Sequence, residues 1–333
     1  YIRQHSPGAV CAWEWGNEPY LAVGPGYMSA RAYAEGFLKA SAVLRGTWPD
    51  IKLGAVLQAG LEDLSWIGRV VPEAATWNET VLSLCGREAD FFTVHFYSPY
   101  VSKGPKEEVL TAMLSGPVLA EKALEGIRKA IDARNPGRPV WVTEYNVLTD
   151  EAVGNWTFGT SMAQTTFVAQ MVMAFARQKV GAACYWSLSC NHNFGMISGP
   201  QNPLIRPAGK LFEDLASLRG AELLAVDVAA PPMRVPPVGN VEDLGIVPMM
   251  DALAFRKEGK LGLLLINRSP GRALRVRLEV DGKPLADLRG LAFFSKSPMD
   301  SWDREPFVPR PWKALGGVVL LPPAATLLLR ENP

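Results

Sequence analysis

The fold of this 333-residue chain can be worked out from Trp13-Glu14-Trp15-Gly16-Asn17-Glu18-Pro19. This stretch follows a short apolar run, Ala9-Val10-Cys11-Ala12, and ends in a proline, so it predicts a strand that leaves the sheet with an amide and a carboxylate. A second stretch, Arg138-Pro139-Val140-Trp141-Val142-Thr143-Glu144-Tyr145-Asn146, repeats the pattern. Both glutamates, Glu18 and Glu144, are therefore candidate acids at strand ends.

Helices are predicted to alternate with strands along the first two thirds of the chain. One helix begins at Ser29, which can cap it, and stops before Pro49. Further helices are predicted at about 118–133, 162–178 and 208–218. Further strands are predicted at 51–57, 91–97 and 182–187. The 91–97 strand follows a predicted loop containing Trp66 and Trp77. Strands separated by helices of this length pair in parallel, so residues 1–220 are predicted to be an α/β domain.

The pattern changes beyond residue 220, where short strands and tight turns are predicted. The strands are Ala252–Lys257, Leu261–Asn267, Leu274–Val280 and Gly317–Leu321. Glu258-Gly259-Lys260 and Asp281-Gly282 are turn sequences of the kind that join antiparallel strands. Residues 221–333 are therefore predicted to be an antiparallel β-sandwich domain. Because this part has no large aromatic cluster, we expect it to stabilise the first domain and not to bind polysaccharide alone.

Composition excludes several classes of partner. Lys and Arg total 34 against 33 Asp and Glu, which gives a net charge of +1. With no basic stripe, nothing in the sequence favours nucleic acid or anionic lipid, and a neutral substrate fits better. No apolar run reaches the roughly 18 residues that a membrane span needs. The sequence therefore predicts neither a nucleic-acid partner nor a membrane protein.

The cysteines and histidines do not form a metal-binding pattern. The four cysteines have no Cys-x-x-Cys spacing, and the three histidines are scattered. We therefore expect neither a metal site nor a cofactor. Cys11 and Cys184 fall in predicted strands, which is typical of small core residues, although Cys184 could pair with Cys190 in an oxidising compartment. The cellular compartment stays open.

The two strand-end glutamates indicate a type of reaction. In a chain that alternates strands with helices, the carboxyl ends of parallel strands meet at one end of the sheet, so Glu18 and Glu144 are expected there together. Two such carboxylates suit cleavage of a glycosidic bond, with one as proton donor and the other as nucleophile. Their surroundings must then differ, because one has to hold a proton and the other has to be ionised. For either motif alone, a solvated glutamate at an ordinary strand end is the alternative.

The same motifs resemble those of clan A of the glycoside hydrolases, which are retaining enzymes on (β/α)8 barrels. Trp13-Glu14-x-Gly16-Asn17-Glu18 is similar to the acid/base motif of family 51, and 263–269 with 320–326 looks like its C-terminal sandwich. The resemblance implies that Glu18 is the acid/base after strand four and Glu144 the nucleophile at the end of strand seven. Since family 51 contains α-L-arabinofuranosidases and some endo-glucanases, the best-supported activity is that of an α-L-arabinofuranosidase.

Other residues acquire candidate roles beside this pair. His95 and Tyr97 match a His-x-Tyr pair that the family has beside its nucleophile. Tyr97 is expected to donate a hydrogen bond that keeps Glu144 charged, and Asn17 to bind the sugar 2-hydroxyl. His95 either supports one of the two carboxylates or is a structural histidine inside the barrel. Glu14 is interpreted as structural.

Two differences from family 51 keep other activities open. The nucleophile motif reads Thr143-Glu144-Tyr145-Asn146 where the family usually has Asp-Glu-Trp-Asn, and the last strand carries Trp186, as in other clan A families such as the β-xylosidase family 39. An endo-β-glycanase or a β-xylosidase is thus an alternative. Trp186 is interpreted as a platform for a sugar ring or as a core residue, and His192 as a loop residue that contacts the glycan. A non-catalytic glycan-binding or scaffold protein is the alternative of a different class.

The strand count predicts a missing part. If the Glu18 strand is the fourth, the later ones are the fifth to eighth, so the fold class is the C-terminal portion of a (β/α)8 TIM barrel, strands 4–8, followed by the sandwich. Five parallel strands alone would leave two open edges. We therefore expect the chain to be the C-terminal part of a longer polypeptide, or to pair with a second chain that supplies the first three units. Localisation stays unknown for the same reason.

Overall fold

The structure is a computed structural model of the chain. It describes residues 8–21, 26–60, 74–101, 104–149, 158–189, 194–199, 203–238, 244–285, 287–302 and 305–331. These residues belong to two compact units. The first draws on Tyr1–Tyr97, Glu121–Tyr145 and Arg177–Tyr185, and the second on Ser98–Ala120, Asn146–Ala176 and Trp186–Pro333. The sequence suggests a different division, at residue 220, which is based on the change from an α/β pattern to an antiparallel β pattern. That domain boundary stays a prediction.

A parallel sheet of five strands begins in the first unit. Its strands are β1 (Ala12–Trp15), β2 (Lys52–Val56), β3 (Phe91–Val101), β4 (Val140–Thr149) and β5 (Ala182–Tyr185). They lie in the order β1-β2-β3-β4-β5, so the predicted parallel pairing of successive strands is confirmed. β3 runs through Pro99, beyond the predicted end. This is possible on the β2 side because β2 pairs with β3 only as far as Thr93, so no proline N–H is needed there.

Both outer strands of this sheet are edges. Within the described ranges, no strand pairs with the outer side of β1 or of β5. Cys11, just before β1, and Cys184, on β5, are exposed, so the prediction that they are core residues is wrong. The reason is their position at the sheet edges, where no further strand of the described residues lies beside them. Cys190 lies outside the described residues, and its pairing with Cys184 stays open.

Within the described residues, six helices accompany the strands. They are α1 (Ala30–Thr47), α2 (Ala74–Leu84), α3 (Lys106–Ser115), α4 (Pro117–Arg134), α5 (Met162–Arg177) and α6 (Pro207–Ala216). Four of them match predicted helices, whereas α2 and α3 were not predicted. The loop expected around Trp77 is a helix, because Trp77 and Val81 are four residues apart and both are fully buried on one face. Trp66 lies outside the described residues. No helix in the described ranges is long and apolar enough to cross a membrane.

Helix α1 is attached to the ends of β1 and β2 through one side chain. Ser29 caps the helix as predicted, accepting a hydrogen bond from Ala32 N–H at 3.2 Å. One turn later the buried Tyr33 hydroxyl donates to the Trp15 carbonyl at 2.8 Å and accepts from the Val56 N–H at 2.8 Å. It therefore satisfies one backbone group on each of two neighbouring strands where β1 ends.

The base of the sheet on the inner side is aromatic. Phe91 on β3 stacks on Trp141 on β4, with ring centroids 3.9 Å apart. The Phe91 ring reaches over β2 at Gly54, where a Cβ atom would lie 2.2 Å from the ring. Glycine is thus required at this position by close packing. Since Gly54 pairs with Glu14 on β1, the Glu14 carboxylate lies beside this aromatic layer.

The second unit is dominated by antiparallel strands. They are β6 (Glu222–Leu224), β7 (Pro232–Val235), β8 (Gly245–Pro248), β9 (Met250–Lys257), β10 (Lys260–Asn267), β11 (Leu274–Arg277), β12 (Glu279–Val280), β13 (Lys283–Pro284), β14 (Leu288–Phe293), β15 (Arg310–Ala314), β16 (Val318–Leu321) and β17 (Thr326–Glu331). Six form one sheet, in the order β15-β14-β17-β10-β9-β6, and the others form the pairs β11-β16, β12-β13 and β7-β8. The predicted hairpin at Glu258-Gly259 is confirmed, with both residues at positive φ, whereas the predicted strand 274–280 is split between β11 and β12.

Apolar side chains of the six-stranded sheet and of the β11-β16 pair form one buried cluster. Helix α5 joins this unit through polar contacts. The buried guanidinium of Arg268 donates to Gln170 Oε1 on α5 at 2.6 Å and to Asp251 Oδ2 at 2.8 Å. Gln170 in turn donates to the Leu114 carbonyl of α3 at 2.7 Å. Because a buried charge needs such partners, Arg268 ties α5 to the antiparallel strands.

Candidate active site

The first glutamate lies on a tight turn. β1 ends at Trp15, and the backbone then turns through Gly16 at φ 83° and Glu18 at φ 42°. A non-glycine residue rarely adopts this left-handed conformation, so Glu18 is held there by its surroundings. Its carbonyl accepts a hydrogen bond from Leu21 N–H at 2.9 Å, which closes the turn. β1 does end just before Glu18, as the Pro19 pattern predicts.

The second glutamate lies within a strand, beside an irregularity. The pairing of β4 with β5 shifts register between Val142 and Tyr145. Side chains normally alternate across a strand, and such a shift lets neighbouring residues project to the same side. Thr143 and Glu144 both make use of it: Thr143 Oγ1 donates to Glu14 Oε1 at 3.2 Å, while Glu144 accepts from a tyrosine of β3. The strand irregularity thereby aims Glu144 at the polar cluster.

Strand β3 supplies a different partner to each glutamate. His95 and Tyr97 are two residues apart and share a face of the strand, as the sequence predicts. His95 Nδ1 lies 2.9 Å from Glu18 Oε1, and Tyr97 Oη donates to Glu144 Oε2 at 2.5 Å. Nδ1 of the same ring lies 3.7 Å from Glu144 Oε2. The four predicted residues Glu18, Glu144, His95 and Tyr97 are therefore brought together.

Burial and the neighbouring groups shift the pKa values of three of these residues. Burial raises the pKa of Glu144 above its ordinary value, while His95 and the Tyr97 hydrogen bond lower it by less. Burial lowers the pKa of His95, but the hydrogen bond to Glu18 and the charges of Glu144, Glu18 and Glu14 outweigh it, so that the pKa is raised. Burial also raises the pKa of Tyr97, with the Glu144 hydrogen bond acting in the same direction. Tyr97 therefore acts as a donor at neutral pH.

A third carboxylate, Glu14, lies beneath this group. Its Oε1 accepts hydrogen bonds from Thr93 Oγ1 at 2.6 Å and from Thr143 Oγ1 at 3.2 Å. The same oxygen lies 3.9 Å from His95 Nε2. Thr93 shares the face of β3 that carries His95, so one strand contacts all three carboxylates of the cluster.

The cluster has donor atoms of the kinds that bind metal ions. One potential ligand atom each from Glu18, His95 and Glu144 lies within 4.8 Å of the others. All three groups already have protein partners, since His95 and Glu18 bond to each other and Glu144 accepts from Tyr97. We identify none of them as a metal ligand, and the expectation that the protein has no metal site stays a prediction.

Three further residues were predicted to belong to the site: Asn17, Trp186 and His192. Asn17 precedes Glu18 on the turn and is exposed. Trp186 follows β5 directly, begins the next part of the second unit and is 46% exposed, so a core position is wrong for it. Its carbonyl accepts a hydrogen bond from Asn146 Nδ2 at 2.5 Å, and Asn146 Oδ1 accepts from Gln164 at 2.6 Å. His192 lies outside the described residues.

Two threonines of the cluster were missed in the sequence. Thr93 could have been found, because it alternates with His95 and Tyr97 in the same strand pattern. Thr143 could not, since strict alternation places it on the face opposite Glu144, and only the register shift brings both to one side. Gln164, which holds Asn146, lies on α5 and has no local sequence signal.

No model of a known protein family matches the sequence, and no curated protein matches it. Solved structures nevertheless share the fold. The family 51 α-L-arabinofuranosidase of Thermotoga petrophila aligns with a TM-score of 0.78 at 20% identity, covering 96% of this chain. A family 44 xyloglucanase of Paenibacillus polymyxa aligns at 0.67, with 14% identity over 97% of the chain. A family 30 endoxylanase of Clostridium papyrosolvens aligns at 0.56, with 12% identity over 97%.

The chain spans 66% of the length of each of these structures. The resemblance to clan A glycoside hydrolases, and within them to family 51, is confirmed at the level of the fold. The five parallel strands and the antiparallel sheets that follow them are the parts that this chain shares with the family 51 structures.

Proposed function

We propose that this protein is a retaining glycoside hydrolase in which Glu144 is the nucleophile and Glu18 the acid/base. The observation that carries the proposal is the pair of carboxylates, with one oxygen of each within 4.8 Å of the other and a different partner for each. Retaining enzymes hold their two carboxyl groups about 5 to 5.5 Å apart, whereas inverting enzymes leave about 6.5 to 9.5 Å for a water molecule. The separation in this cluster supports retention.

The proposed reaction has two steps. In the first, a Glu144 oxygen bonds to the anomeric carbon, the glycosidic C–O bond breaks, and Glu18 gives its proton to the leaving oxygen. In the second, Glu18 takes a proton from water, the water oxygen bonds to the anomeric carbon, and the bond to Glu144 breaks. The Tyr97 hydroxyl orients Glu144 and stabilises its charge before attack and after release. Asn17, next to Glu18 and exposed, is proposed to bind the sugar 2-hydroxyl.

For the substrate we propose a terminal α-L-arabinofuranosyl group on a plant-type polysaccharide or oligosaccharide. The support is the motif around Glu18 together with the fold shared with family 51 arabinofuranosidases. The second candidate is an endo-β-glycanase or β-xylosidase, which the shared fold with a xyloglucanase and an endoxylanase favours. Trp186 is proposed as a sugar platform in either case, because its side chain is exposed.

We also propose that further parallel strands, from the same polypeptide or from a second chain, cover the open edges of β1 and β5. Unpaired edges expose rows of backbone donors and acceptors, and Trp13 on β1 is 41% exposed. The antiparallel sheets are proposed to form the β-sandwich of the second domain, around the cluster that the six-stranded sheet shares with β11-β16. Size-exclusion chromatography and thermal circular dichroism of residues 1–333 alone test the first idea. A soluble, cooperatively melting and fully active monomer would overturn it.

The activity is tested by incubating the protein with a panel of nitrophenyl glycosides. We expect hydrolysis of the α-L-arabinofuranoside, with NMR of the first-formed sugar showing retained configuration. Hydrolysis of the β-xyloside or of an internal glucan linkage instead would select the second candidate. Inversion of configuration would overturn the role of Glu144. Binding of arabinan or xylan without any hydrolysis would support a non-catalytic glycan-binding protein.

A further inference from the structure

The proposed reaction makes no use of Glu14, although this residue is part of the cluster. The His95 ring has a carboxylate near each nitrogen: Glu18 Oε1 at 2.9 Å from Nδ1 and Glu14 Oε1 at 3.9 Å from Nε2. A third carboxylate, Glu144, lies 3.7 Å from Nδ1. Within the described residues, Tyr97 on the same strand is a further titratable member of the cluster, and its hydroxyl is bonded to Glu144. Three carboxyl groups from β1, its turn and β4 therefore surround one imidazole.

The side of the ring that faces Glu14 is unusual. His95 is 2% exposed, and within the part of the chain that the structure describes its Nε2 atom has no hydrogen-bond partner. A buried lone pair on Nε2 would face the Glu14 oxygen and be repelled by it. A proton on Nε2 would be attracted by the same charge. The charge of Glu14 thus favours the ring form that carries hydrogen on Nε2.

The position of Glu14 is fixed by two hydroxyl groups. Thr93 and Thr143, from β3 and β4, both donate to Oε1, the oxygen that also faces the ring. A carboxylate that accepts two hydroxyl hydrogens on one oxygen is held in place as an acceptor. Glu14 therefore presents a fixed negative charge to His95.

We propose that Glu14 is a positioning residue that fixes the tautomer of His95 and thereby leaves Nδ1 free to share one proton with Glu18. This inference rests on the proposed function. With hydrogen held on Nε2, the pair contains a single mobile proton, either on Glu18 facing the Nδ1 lone pair or on Nδ1 facing the Glu18 carboxylate. In the first step that proton passes to the leaving oxygen. In the second step the proton of the attacking water restores it.

The test removes the charge of Glu14 and measures the protonation of the two His95 ring nitrogens by NMR. Glu14→Gln keeps the shape of the side chain and a carbonyl that Thr93 can bond. In ¹⁵N-histidine-labelled protein, with His95→Gln used to identify the signals, we expect the wild-type neutral ring to carry hydrogen on Nε2. In the Glu14→Gln variant we expect the ring to titrate at lower pH and to gain the Nδ1–H form. With an aryl glycoside, kcat should fall about 10-fold while KM changes little.

Glu35→Gln is the matched control, because Glu35 is an exposed residue of α1 paired only loosely with Arg31 at 3.8 Å. It should leave the His95 signals and kcat unchanged. Wild-type His95 signals in Glu14→Gln would overturn the proposal. If that variant does not fold, Thr143→Val is the second test, because it keeps the Glu14 carboxylate but removes one of the two hydrogen bonds that hold it. Unchanged His95 signals in Thr143→Val would also overturn the proposal. Absence of glycosidase activity in the wild type would reject the proposed function, while the spectra would still decide whether Glu14 controls the ring.

Discussion

The turn after β1 and the irregular part of β4 each bring one glutamate to the same cluster, but by opposite means. Glu18 leaves its strand and adopts a left-handed backbone conformation, whereas Glu144 stays in an extended strand and is aimed by a register shift. Their partners differ as well. Glu18 contacts an imidazole, which can give or take a proton, while Glu144 contacts a phenol, which at neutral pH only donates a hydrogen bond.

The difference shows how two glutamate side chains can be given different chemical roles by their hydrogen-bond partners. Both partners come from β3, two residues apart on one face, so a single strand distinguishes the two carboxylates. Glu144, with its donor, is suited to carry a negative charge into the reaction. Glu18, with its proton-sharing neighbour, is suited to exchange a proton. Each experiment below tests whether this division of roles holds.

Removal of the nucleophile should have the largest effect. In Glu144→Ala, kcat should fall on the order of 10⁴-fold or more, because no covalent intermediate can form. Azide should restore turnover and give a glycosyl azide of inverted configuration, as detected by NMR of the product. Wild-type activity in this variant would remove Glu144 from the mechanism.

Removal of the acid/base should have a smaller and more selective effect. In Glu18→Ala, kcat should fall about 10²- to 10⁴-fold for leaving groups that need a proton, and much less for nitrophenol, which does not. Azide should again restore turnover, but with retained configuration, because it replaces water in the second step. If azide gave inverted product with this variant, the roles of Glu18 and Glu144 would have to be exchanged.

Loss of the phenol hydroxyl should weaken only one side of the comparison. In Tyr97→Phe, the charged hydrogen bond to Glu144 is lost, and kcat/KM should fall about 10- to 100-fold. Because this bond lowers the pKa of Glu144, the acid limb of the pH profile should also move to higher pH. An acid limb that stays in place in the variant would show that Tyr97 does not act on the nucleophile.

The pH profile of the unmodified protein follows from burial. Burial raises the pKa of Glu144 above its ordinary value near 4.5, and attack requires the ionised form. Activity should therefore be lost as the pH falls through that raised pKa, so the acid limb of kcat/KM should lie above the range of a solvated glutamate. A limb at or below pH 4.5 would contradict the assignment of the nucleophile.

Stability should show the smallest effect. The raised pKa of His95 gives stability that is complete below its ordinary value near 6.5 and lost as the pH rises through the raised value. Glu144 acts in the same direction, because its raised pKa means that the folded protein binds the proton more tightly than the unfolded chain. The unfolding temperature should therefore decrease as the pH is raised from about 5 to 8. A double variant, His95→Asn with Glu144→Gln, should flatten this slope, and an equally steep slope would refute the linkage.

The sequence allowed the strands of the parallel sheet and the positions of the two glutamates near strands to be predicted, although Glu144 does not end its strand, because β4 continues to Thr149. Their signal is local, since Pro19 and Pro139 bound apolar runs that can be read without any partner. The sequence could not show that His95 contacts Glu18 more closely than Glu144, because this contact depends on the register of β3 relative to the neighbouring strands. The register shift at Val142 also has no local signal, and without it Thr143 and Glu144 would be expected on opposite faces.

Helix α2 was missed for a different reason. Its buried apolar residues Trp77 and Val81 are at helical spacing, but two residues four apart are too short a pattern to distinguish a helix from a loop. Trp77 is buried by Tyr20 and Tyr33, and its indole N–H donates to the Val56 carbonyl at 3.0 Å. The position of α2 is thus set by tertiary contacts that a single sequence does not display.

The Tyr33 hydroxyl connects helix α1 to the strand end that precedes Glu18, the proposed acid/base. By bonding to the Trp15 carbonyl and the Val56 N–H together, it fixes the point at which β1 stops and the Glu18 turn begins. A substitution at the buried face of α1 would therefore shift the Glu18 turn. The side chains of the cluster would be unchanged, but the distance from the Glu18 proton to the leaving oxygen of a bound glycoside would change. If Glu18 is the proposed acid/base, a substitution on the buried face of α1 should therefore lower turnover without altering any residue of the cluster.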